Sequence, residues 1–95
     1  MNIYDIIVRP LETEKAYVLR EQTKYVFIVH MDANKLEVKR AVEEIYSVDV
    51  DRVRTMVMPG KANKMRGRRT VRRRAPWKKA IVTLSAGERI EALEA

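Results

Sequence analysis

The sequence predicts an α+β fold: an antiparallel four-stranded sheet with helices packed on it, and a long basic hairpin loop between the last two strands. Apolar segments of strand length alternate along the chain with segments whose apolar residues recur every three or four positions. A composition with 46% hydrophobic residues, three Gly and three Pro is typical of a folded chain. The 95 residues suit one domain, residues 1–95, with an extended basic loop at 59–77.

The amino-terminal part predicts a weak strand followed by a helix. Residues 2–8 (NIYDIIV) have the composition of a short edge strand. Pro10 suits the first turn of a helix, which we expect over residues 11–21. Glu12 and Glu14 then fall in the first turn, where carboxylates favour the helix dipole. The expected buried face of this helix carries Leu11, Lys15, Val18 and Leu19, with Ala16 beside it.

The middle of the chain predicts a buried strand and an amphipathic helix. Residues 24–31 (KYVFIVHM) are nearly apolar on both faces, so we expect both faces of this strand to be covered. Asp32 is the expected N-cap of a helix over residues 33–46. The apolar stripe of that helix consists of Val38, Ala41, Val42 and Ile45.

Two strands enclose a long loop in the second half of the chain. Residues 50–58 (VDRVRTMVM) predict a strand that a Pro-Gly pair ends. Residues 61–77 show little apolar periodicity and predict a loop, which at this length is usually functional or disordered. Residues 78–84 predict the last strand, and residues 88–95 an acidic tail or a short helix. In the last strand, Ala80, Val82 and Leu84 alternate with Lys79, Ile81 and Thr83.

Positive charge is concentrated in one part of the chain. The sequence has 20 Lys plus Arg against 13 Asp plus Glu, a formal net charge of +7. Residues 52–87 include 12 of the basic residues and no acidic residue, whereas the rest of the chain has 8 basic and 13 acidic residues. Interspersed charges are sufficient for solubility, so this asymmetry favours a polyanionic partner.

The basic loop is the expected nucleic-acid-binding element. Its cations repel one another in solution, whereas each can neutralise a phosphate along a nucleic-acid backbone and release counterions. Arg outnumbers Lys, which suits bidentate phosphate contacts, and the irregular spacing suits folded RNA. Trp77 is expected either to pack at the base of the hairpin or to stack on a base. A solvated charged loop is the alternative interpretation. The candidate cations are Lys61, Lys64, Arg66, Arg68, Arg69, Arg72, Arg73, Arg74, Lys78 and Lys79.

Composition excludes several classes of site. The absence of Cys excludes disulfides, thiolate metal sites and cysteine nucleophiles, and favours a reducing compartment. His30, the only histidine, lies within an apolar strand, where we expect a structural role. We therefore expect no metal, no cofactor, no catalytic residue and no small-molecule substrate. No apolar run approaches the roughly 18 residues of a membrane span, so membrane insertion is not expected.

Two other classes of function carry similar charge. A small basic RNA-cleaving toxin needs basic and Tyr groups that converge on one folded cleft. Here Tyr4, Tyr17, Tyr25 and Tyr46 all lie outside the basic loop. A general nucleic-acid-binding protein, such as a DNA-binding architectural protein, is the other alternative, although no recognition helix is evident.

Several short motifs occur in a specific order between residues 6 and 87. They are Arg9-Pro10 with Thr13-Glu14-Lys15; Tyr25-Val26-Phe27; Ala33-Asn34-Lys35 with Ala41-Val42-Glu43; Val53-Arg54-Thr55; Gly60-Lys61; and Trp77-Lys78-Lys79-Ala80 leading into Ile81-Val82-Thr83-Leu84. Each motif is weak alone. Their order and spacing together resemble the large-subunit ribosomal protein L23 family in its bacterial form.

The resemblance implies a structural, non-enzymatic constituent of the large ribosomal subunit in the cytoplasm, or less commonly in an organelle. Members of this family bind 23S rRNA and lie beside the exit of the polypeptide tunnel, and their hairpin loop extends into the tunnel wall. They pack beside ribosomal protein L29 and dock the chaperone trigger factor. The signal recognition particle and the membrane translocon use the same region.

The resemblance also implies roles for residues outside the basic loop. Glu14 is the expected salt-bridge partner of trigger factor, and the alternative is a first-turn Glu that serves only its own helix. Arg54 stands where members often have Asn and adds a cation to the RNA-binding set. Ser47 stands where some members carry an acidic residue, so a second acidic chaperone contact is not assigned there. The implied RNA contacts on the globular part are Arg9, Lys15, Lys35 and Lys39.

Overall fold

The computed structural model describes residues 2–59, 62–64, 71–73 and 75–93. For the segments 62–64 and 71–73, the description covers the backbone. In chain order the elements are α1 (Ile3–Ile6), β1 (Ile7–Pro10), α2 (Glu14–Glu21), β2 (Lys24–Val29), α3 (Lys35–Tyr46), β3 (Val50–Met58), β4 (Ala62–Lys64), β5 (Val71–Arg73), β6 (Trp77–Leu84) and a short 3₁₀ helix (Glu91–Leu93).

The strands form two antiparallel sheets. The main sheet has four strands in the order β1-β2-β6-β3, and β4 pairs with β5 in a separate two-stranded sheet. Helix α3 packs against β3, α1 packs against α3, and α2 packs against β2. The predicted α+β fold with an antiparallel four-stranded sheet is therefore confirmed.

The hydrophobic core lies between α3 and one face of the main sheet, which we call the core face. The predicted apolar stripe of α3 is confirmed, because Val38, Ala41 and Val42 are all buried. Phe27 of β2 is fully buried on the same face, and its ring centroid lies 5.8 Å from that of Tyr46. Because α3 covers the core face, only the opposite face of the main sheet is left to contact other molecules.

The amino-terminal end of α3 differs from the prediction. Asn34, not Asp32, is the N-cap: Asn34 Oδ1 accepts a hydrogen bond from the Glu37 N–H at 2.9 Å, and Glu37 Oε1 accepts one from the Asn34 N–H at 3.2 Å. This reciprocal capping box satisfies two backbone donors at once. Asp32 has Lys35 three residues later and cannot form such a box, and its N–H instead donates to Nδ1 of His30 at 3.1 Å.

The first segment was predicted as a strand over residues 2–8, which is wrong for its first half. Residues Ile3–Ile6 form a helical turn capped by the side chain of Asn2, and the strand runs over Ile7–Pro10. Pro10 therefore ends a strand and does not begin a helix. Its missing N–H is tolerated because β1 is an edge strand of the sheet.

Helix α2 begins later than predicted and buries a different face. Thr13 is its N-cap, and the Thr13 hydroxyl accepts a hydrogen bond from the Ala16 N–H at 3.2 Å. Glu12 therefore precedes the helix. The buried residues of α2 are Ala16 and Arg20, whereas Val18 of the predicted face is 55% exposed. Apolar periodicity misled the prediction because a charged side chain occupies the buried position.

The predicted loop between β3 and β6 contains regular structure. Strand β4 pairs with β5 in antiparallel register, with Ala62 opposite Arg73 and Lys64 opposite Val71. The predicted loop is wrong for these two segments, which are strands, and β6 begins at Trp77, one residue earlier than expected. Backbone pairing can extend a hairpin without an apolar pattern, which is why periodicity did not reveal it.

The carboxyl-terminal residues pack onto the body. Ile90 is buried in the core, and its N–H donates to the hydroxyl oxygen of Tyr25 at 3.3 Å. The 3₁₀ helix Glu91–Leu93 follows, so of the two predicted alternatives, an acidic tail or a short helix, the short helix is confirmed for these residues. Within the described residues, no helix combines the length and apolar character needed to cross a membrane.

Candidate nucleic-acid interface

The face of the main sheet opposite the core is only partly covered. Val26 of β2 points away from the core face because side chains alternate along a strand, and it is nevertheless buried. Helix α2 packs against β2 and accounts for this burial. We call this side of the main sheet the outer face. On β6 and β3, which follow β2 in the sheet, the outer-face residues are half-buried or exposed, so this part of the outer face is accessible to solvent.

We call this accessible part of the outer face the open strip. Strand register defines its membership, because residues paired across neighbouring strands lie on the same face. In the pairing of β3 with β6, Arg52 lies opposite Thr83, Arg54 opposite Ile81, Met56 opposite Lys79, and Met58 opposite Trp77. The open strip therefore consists of Arg52, Arg54, Met56, Met58, Trp77, Lys79, Ile81 and Thr83.

The open strip is positively charged and has no acidic member. Arg52 and Arg54 are exposed, and Lys79 is half-buried. None of these three side chains forms an ion pair with another described residue. Arg9 lies on the same outer face, because it pairs with Ile28 of β2, which in turn pairs with Lys79. The open strip therefore combines cations that have no ion-pair partner among the described residues with apolar side chains such as Met56 and Ile81. This combination suits an anionic ligand that also has flat apolar groups.

Trp77 lies at the start of β6, directly after the basic hairpin, the name we give to the segment between β3 and β6 that includes β4 and β5. It is half-buried and lies opposite Met58 in the last described pair of the β3–β6 ladder. Its position on the open strip leaves part of the indole accessible, so packing against Met58 does not exclude stacking on a base. Both interpretations of Trp77 from the sequence are compatible with this placement.

Lys78 and Lys79 differ in their surroundings although both were predicted to contact RNA. Lys78 lies on the core face of β6, and its Nζ donates to the carbonyl oxygen of Ala33 at 2.7 Å and to that of Met31 at 3.2 Å. These bonds fasten the β2–α3 loop to β6. Lys79 points to the outer face and has no such partner among the described residues. Lys79 is therefore the better placed of the two for an external phosphate.

We predict that the two lysines have separable roles. Lys78→Met should lower the free energy of unfolding by about 1–2 kcal/mol, because the partly buried carbonyl group of Ala33 and the exposed one of Met31 both lose their donor. Lys79→Met should change stability by less than about 0.5 kcal/mol while weakening RNA binding. Urea unfolding and RNA-binding titrations of both variants check this. Equal stabilities together with equal losses of RNA affinity would contradict the assignment.

The remaining predicted RNA contacts lie in other parts of the molecule. Lys35 and Lys39 lie on α3, on the core side of the sheet, so the structure does not bring them together with the open strip. Lys15 is exposed on α2, and Glu14 is exposed at the first residue of that helix. Glu14 forms no ion pair with another described residue, so its carboxylate is available to an external cation.

Most cations of the predicted loop fall where side chains are not described. Lys61, Arg66, Arg68, Arg69 and Arg74 lie outside the described residues. Lys64, Arg72 and Arg73 belong to β4 and β5, where the backbone register is defined. These residues remain candidates on the strength of the sequence.

Sequence reasoning missed the outer-face partners of Arg54 and Lys79. Arg52, Met56 and Ile81 were not assigned to the interface, although all three lie on the open strip. The period-two alternation in residues 52–58 and 77–83 carries this signal. It could be used only after the pairing of β3 with β6 showed which residues share a face.

A small antiparallel sheet with helices, a partly uncovered basic face and a basic hairpin has the charge distribution typical of the class of small nucleic-acid-binding proteins. The comparisons with known proteins then identify the family. The model of the family "Ribosomal protein L23" matches residues 5–92. The chain belongs to this family.

Bacterial relatives match over nearly the whole chain. The protein named "Large ribosomal subunit protein uL23" of Herpetosiphon aurantiacus is 48% identical, covering 99% of this chain and 98% of that protein. Proteins with the same name in Thermotoga neapolitana and Anaeromyxobacter dehalogenans are each 50% identical, covering 99% of this chain and 92% and 96% of those proteins. The chain is therefore a structural, non-enzymatic constituent of the large ribosomal subunit, which removes the RNA-cleaving toxin as an alternative.

Proposed function

We propose that this chain binds 23S rRNA within the large subunit, and that the basic hairpin between β3 and β6 is its main RNA-binding element. The observation that supports this most directly is the combination of backbone pairing and charge. The strands β4 and β5 form a second antiparallel ladder that is separate from the main sheet. The sequence between residues 61 and 74 has eight Lys or Arg and no acidic residue.

The body adds a second set of cations at the root of the hairpin. Arg54 and Lys79 lie on the outer face, and Arg9 lies on the same face of β1, separated from β6 by strand β2. Trp77 begins β6 on the same face. An RNA strand that follows the hairpin can therefore continue over these side chains without meeting a carboxylate of the open strip. Lys15, Lys35 and Lys39 are proposed as contacts of the body with other RNA segments.

The proposed position is the exit of the polypeptide tunnel in the cytoplasmic ribosome. There the hairpin would line the tunnel wall and the body would face the surface beside ribosomal protein L29. Glu14 is proposed as the contact for trigger factor, and its exposure at the start of α2 supports that role. The signal recognition particle and the translocon are proposed to use the same surface.

Salt dependence tests the proposed RNA binding. If the chain neutralises about six to eight phosphates, a plot of log affinity against log salt for a 23S rRNA fragment should have a slope of roughly −4 to −7. The measurement is a titration of labelled fragment with the full chain at several salt concentrations. A nearly flat response would contradict binding through phosphates. An equal affinity for duplex DNA and folded rRNA would instead favour general nucleic-acid binding.

A further inference from the structure

We propose that the open strip is a separate binding platform for unpaired nucleotides of RNA, distinct from the phosphate-binding hairpin. The inference rests on RNA being the partner of this chain, as proposed above. It adds the kind of RNA that the sheet face recognises. The strip would hold bases against its apolar side chains and phosphates against the cations that surround them.

The distribution of side chains across β3 and β6 supports a platform. Arg54 lies opposite Ile81, and Met56 lies opposite Lys79, so in these two pairs a cation faces an apolar side chain across the strands. Side chains paired across antiparallel strands are about 4.5–5.5 Å apart at Cβ. Ile81 and Met56 thus each have a cation as an immediate cross-strand neighbour, so that a base and its adjacent phosphate can be contacted together.

The planar character of the charged groups favours unpaired bases. Arg52 and Arg54 are exposed on the edge strand β3, and guanidinium planes stack on bases as well as binding phosphates. A flat sheet face gives such groups access to a base only when the base is splayed out of a helix. The bases of an RNA duplex are stacked on one another and offer no free face to the strip.

Continuity with the hairpin favours RNA over an acidic peptide as the occupant. The strip ends at Met58 and Trp77, the pair from which the hairpin extends. One RNA strand can therefore run from the hairpin onto the strip. An acidic peptide would neutralise the cations, but its carboxylates would make no contact with the apolar side chains of Met56 and Ile81.

A charge-matched pair of variants tests the platform in the full chain. Arg52→Ala, Arg54→Ala and Lys79→Ala remove three positive charges from the strip. Leu36→Glu and Arg40→Glu lower the net charge by the same three units at exposed positions of α3, on the other side of the sheet, where no RNA contact is proposed. The probes are a fluorescein-labelled 12-nucleotide oligouridylate and a 12-base-pair RNA duplex, and circular dichroism confirms that both variants are folded.

The strip variant should bind the oligouridylate roughly 10- to 100-fold more weakly than the unmodified chain, with a salt slope smaller by about two, because three phosphate contacts are lost. The α3 variant should lose less than about threefold, and the strip variant should lose less affinity for the duplex than for the single strand. Equal losses in the two variants would show that total charge alone matters and would overturn the platform.

Crosslinking gives a readout that does not depend on charge. Oligouridylate containing 4-thiouridine should crosslink on irradiation to residues 55–58 and 77–83, which mass spectrometry of peptides would locate. Crosslinks found only outside the strip, or no oligouridylate binding by the unmodified chain, would overturn this inference. The proposed binding of 23S rRNA is tested independently, by the titration of the rRNA fragment described above.

Discussion

Deletion of residues 61–74 should abolish incorporation of the chain into large subunits while leaving its body folded. The deletion removes eight Lys or Arg. It joins β3 to β6 through Pro59, Gly60, Ala75 and Pro76. Because Met58 and Trp77 are already opposite each other in the ladder, this four-residue connection closes an ordinary hairpin. We expect the affinity for a 23S rRNA fragment to fall on the order of 1,000-fold at 0.1 M salt, since most phosphate contacts are lost.

Two further variants distinguish the contributions of length, charge and Arg side chains in the hairpin to rRNA binding. A full-length hairpin in which the eight cations are replaced by Gln should behave like the deletion, because it keeps the length and removes the charge. A hairpin in which every Arg is replaced by Lys keeps the charge and should lose affinity only in part, since a Lys ammonium cannot make the bidentate contacts of a guanidinium.

The measurements are co-sedimentation with assembled large subunits and titration of the rRNA fragment, with thermal unfolding as the check on the body. Undiminished incorporation of the deletion variant would contradict the proposal that the hairpin anchors the protein. A deletion variant that unfolds would be replaced by the Gln hairpin, whose β3–β6 connection keeps its native length.

Local sequence signals predicted the elements that bury a continuous apolar surface. Phe27 and its neighbours made β2 evident, and the stripe from Val38 to Ile45 made α3 evident. Both signals are strong because the core must receive every second side chain of a strand and every third or fourth side chain of a helix. The antiparallel arrangement followed from their order along the chain.

The errors share a physical cause, which is that polar groups decided the structure at those places. A capping box moved the start of α3 to Asn34, and the cap at Thr13 moved the start of α2. The interface was predicted from charge density and the family resemblance, neither of which shows where a side chain points, so Lys78 was grouped with Lys79. Only strand register separates a lysine whose Nζ is bonded to two carbonyl groups from one that faces outward.

Arg20→Ala should be the most destabilising single substitution of a charged residue in the body. The Arg20 side chain is 8% exposed, and its guanidinium connects three segments of the chain. Nη2 donates to Oε1 of Glu12 at 3.0 Å, and Nη1 donates to the carbonyl oxygen of Leu93 at 2.8 Å. The guanidinium carbon also lies 4.9 Å from the ring centroid of Tyr17.

Loss of these contacts leaves a carbonyl group without its donor and a void beneath α2. We expect the free energy of unfolding to fall by about 2–3 kcal/mol, and the melting temperature by roughly 10–20 °C for a domain of this size. Arg40→Ala is the matched control, since Arg40 is exposed on α3 and its removal should change stability by less than about 0.5 kcal/mol. Arg20→Met keeps the apolar stem, and equal stability of this variant and the unmodified chain would show that the polar contacts contribute nothing.

The pH dependence of unfolding provides an independent check on the same contact. Hydrogen bonding from Tyr17, and then from Arg20, lowers the pKa of Glu12 below its ordinary value of 4.5. A carboxyl whose pKa is lower in the folded state stabilises the fold above its unfolded pKa, and this stabilisation is lost as the pH falls through the folded value. Glu12 in turn raises the pKa of Tyr17 above 10.0, so the contribution of Tyr17 is present below that pH and is lost as the pH rises through its folded value. The contact should therefore stabilise the chain between about pH 5 and pH 10. Arg20→Ala should flatten the acid side of the stability profile only in part relative to Arg40→Ala, because the hydrogen bond from Tyr17, the larger cause, remains. Parallel profiles for the two variants would contradict the assignment of Arg20 as a partner of Glu12.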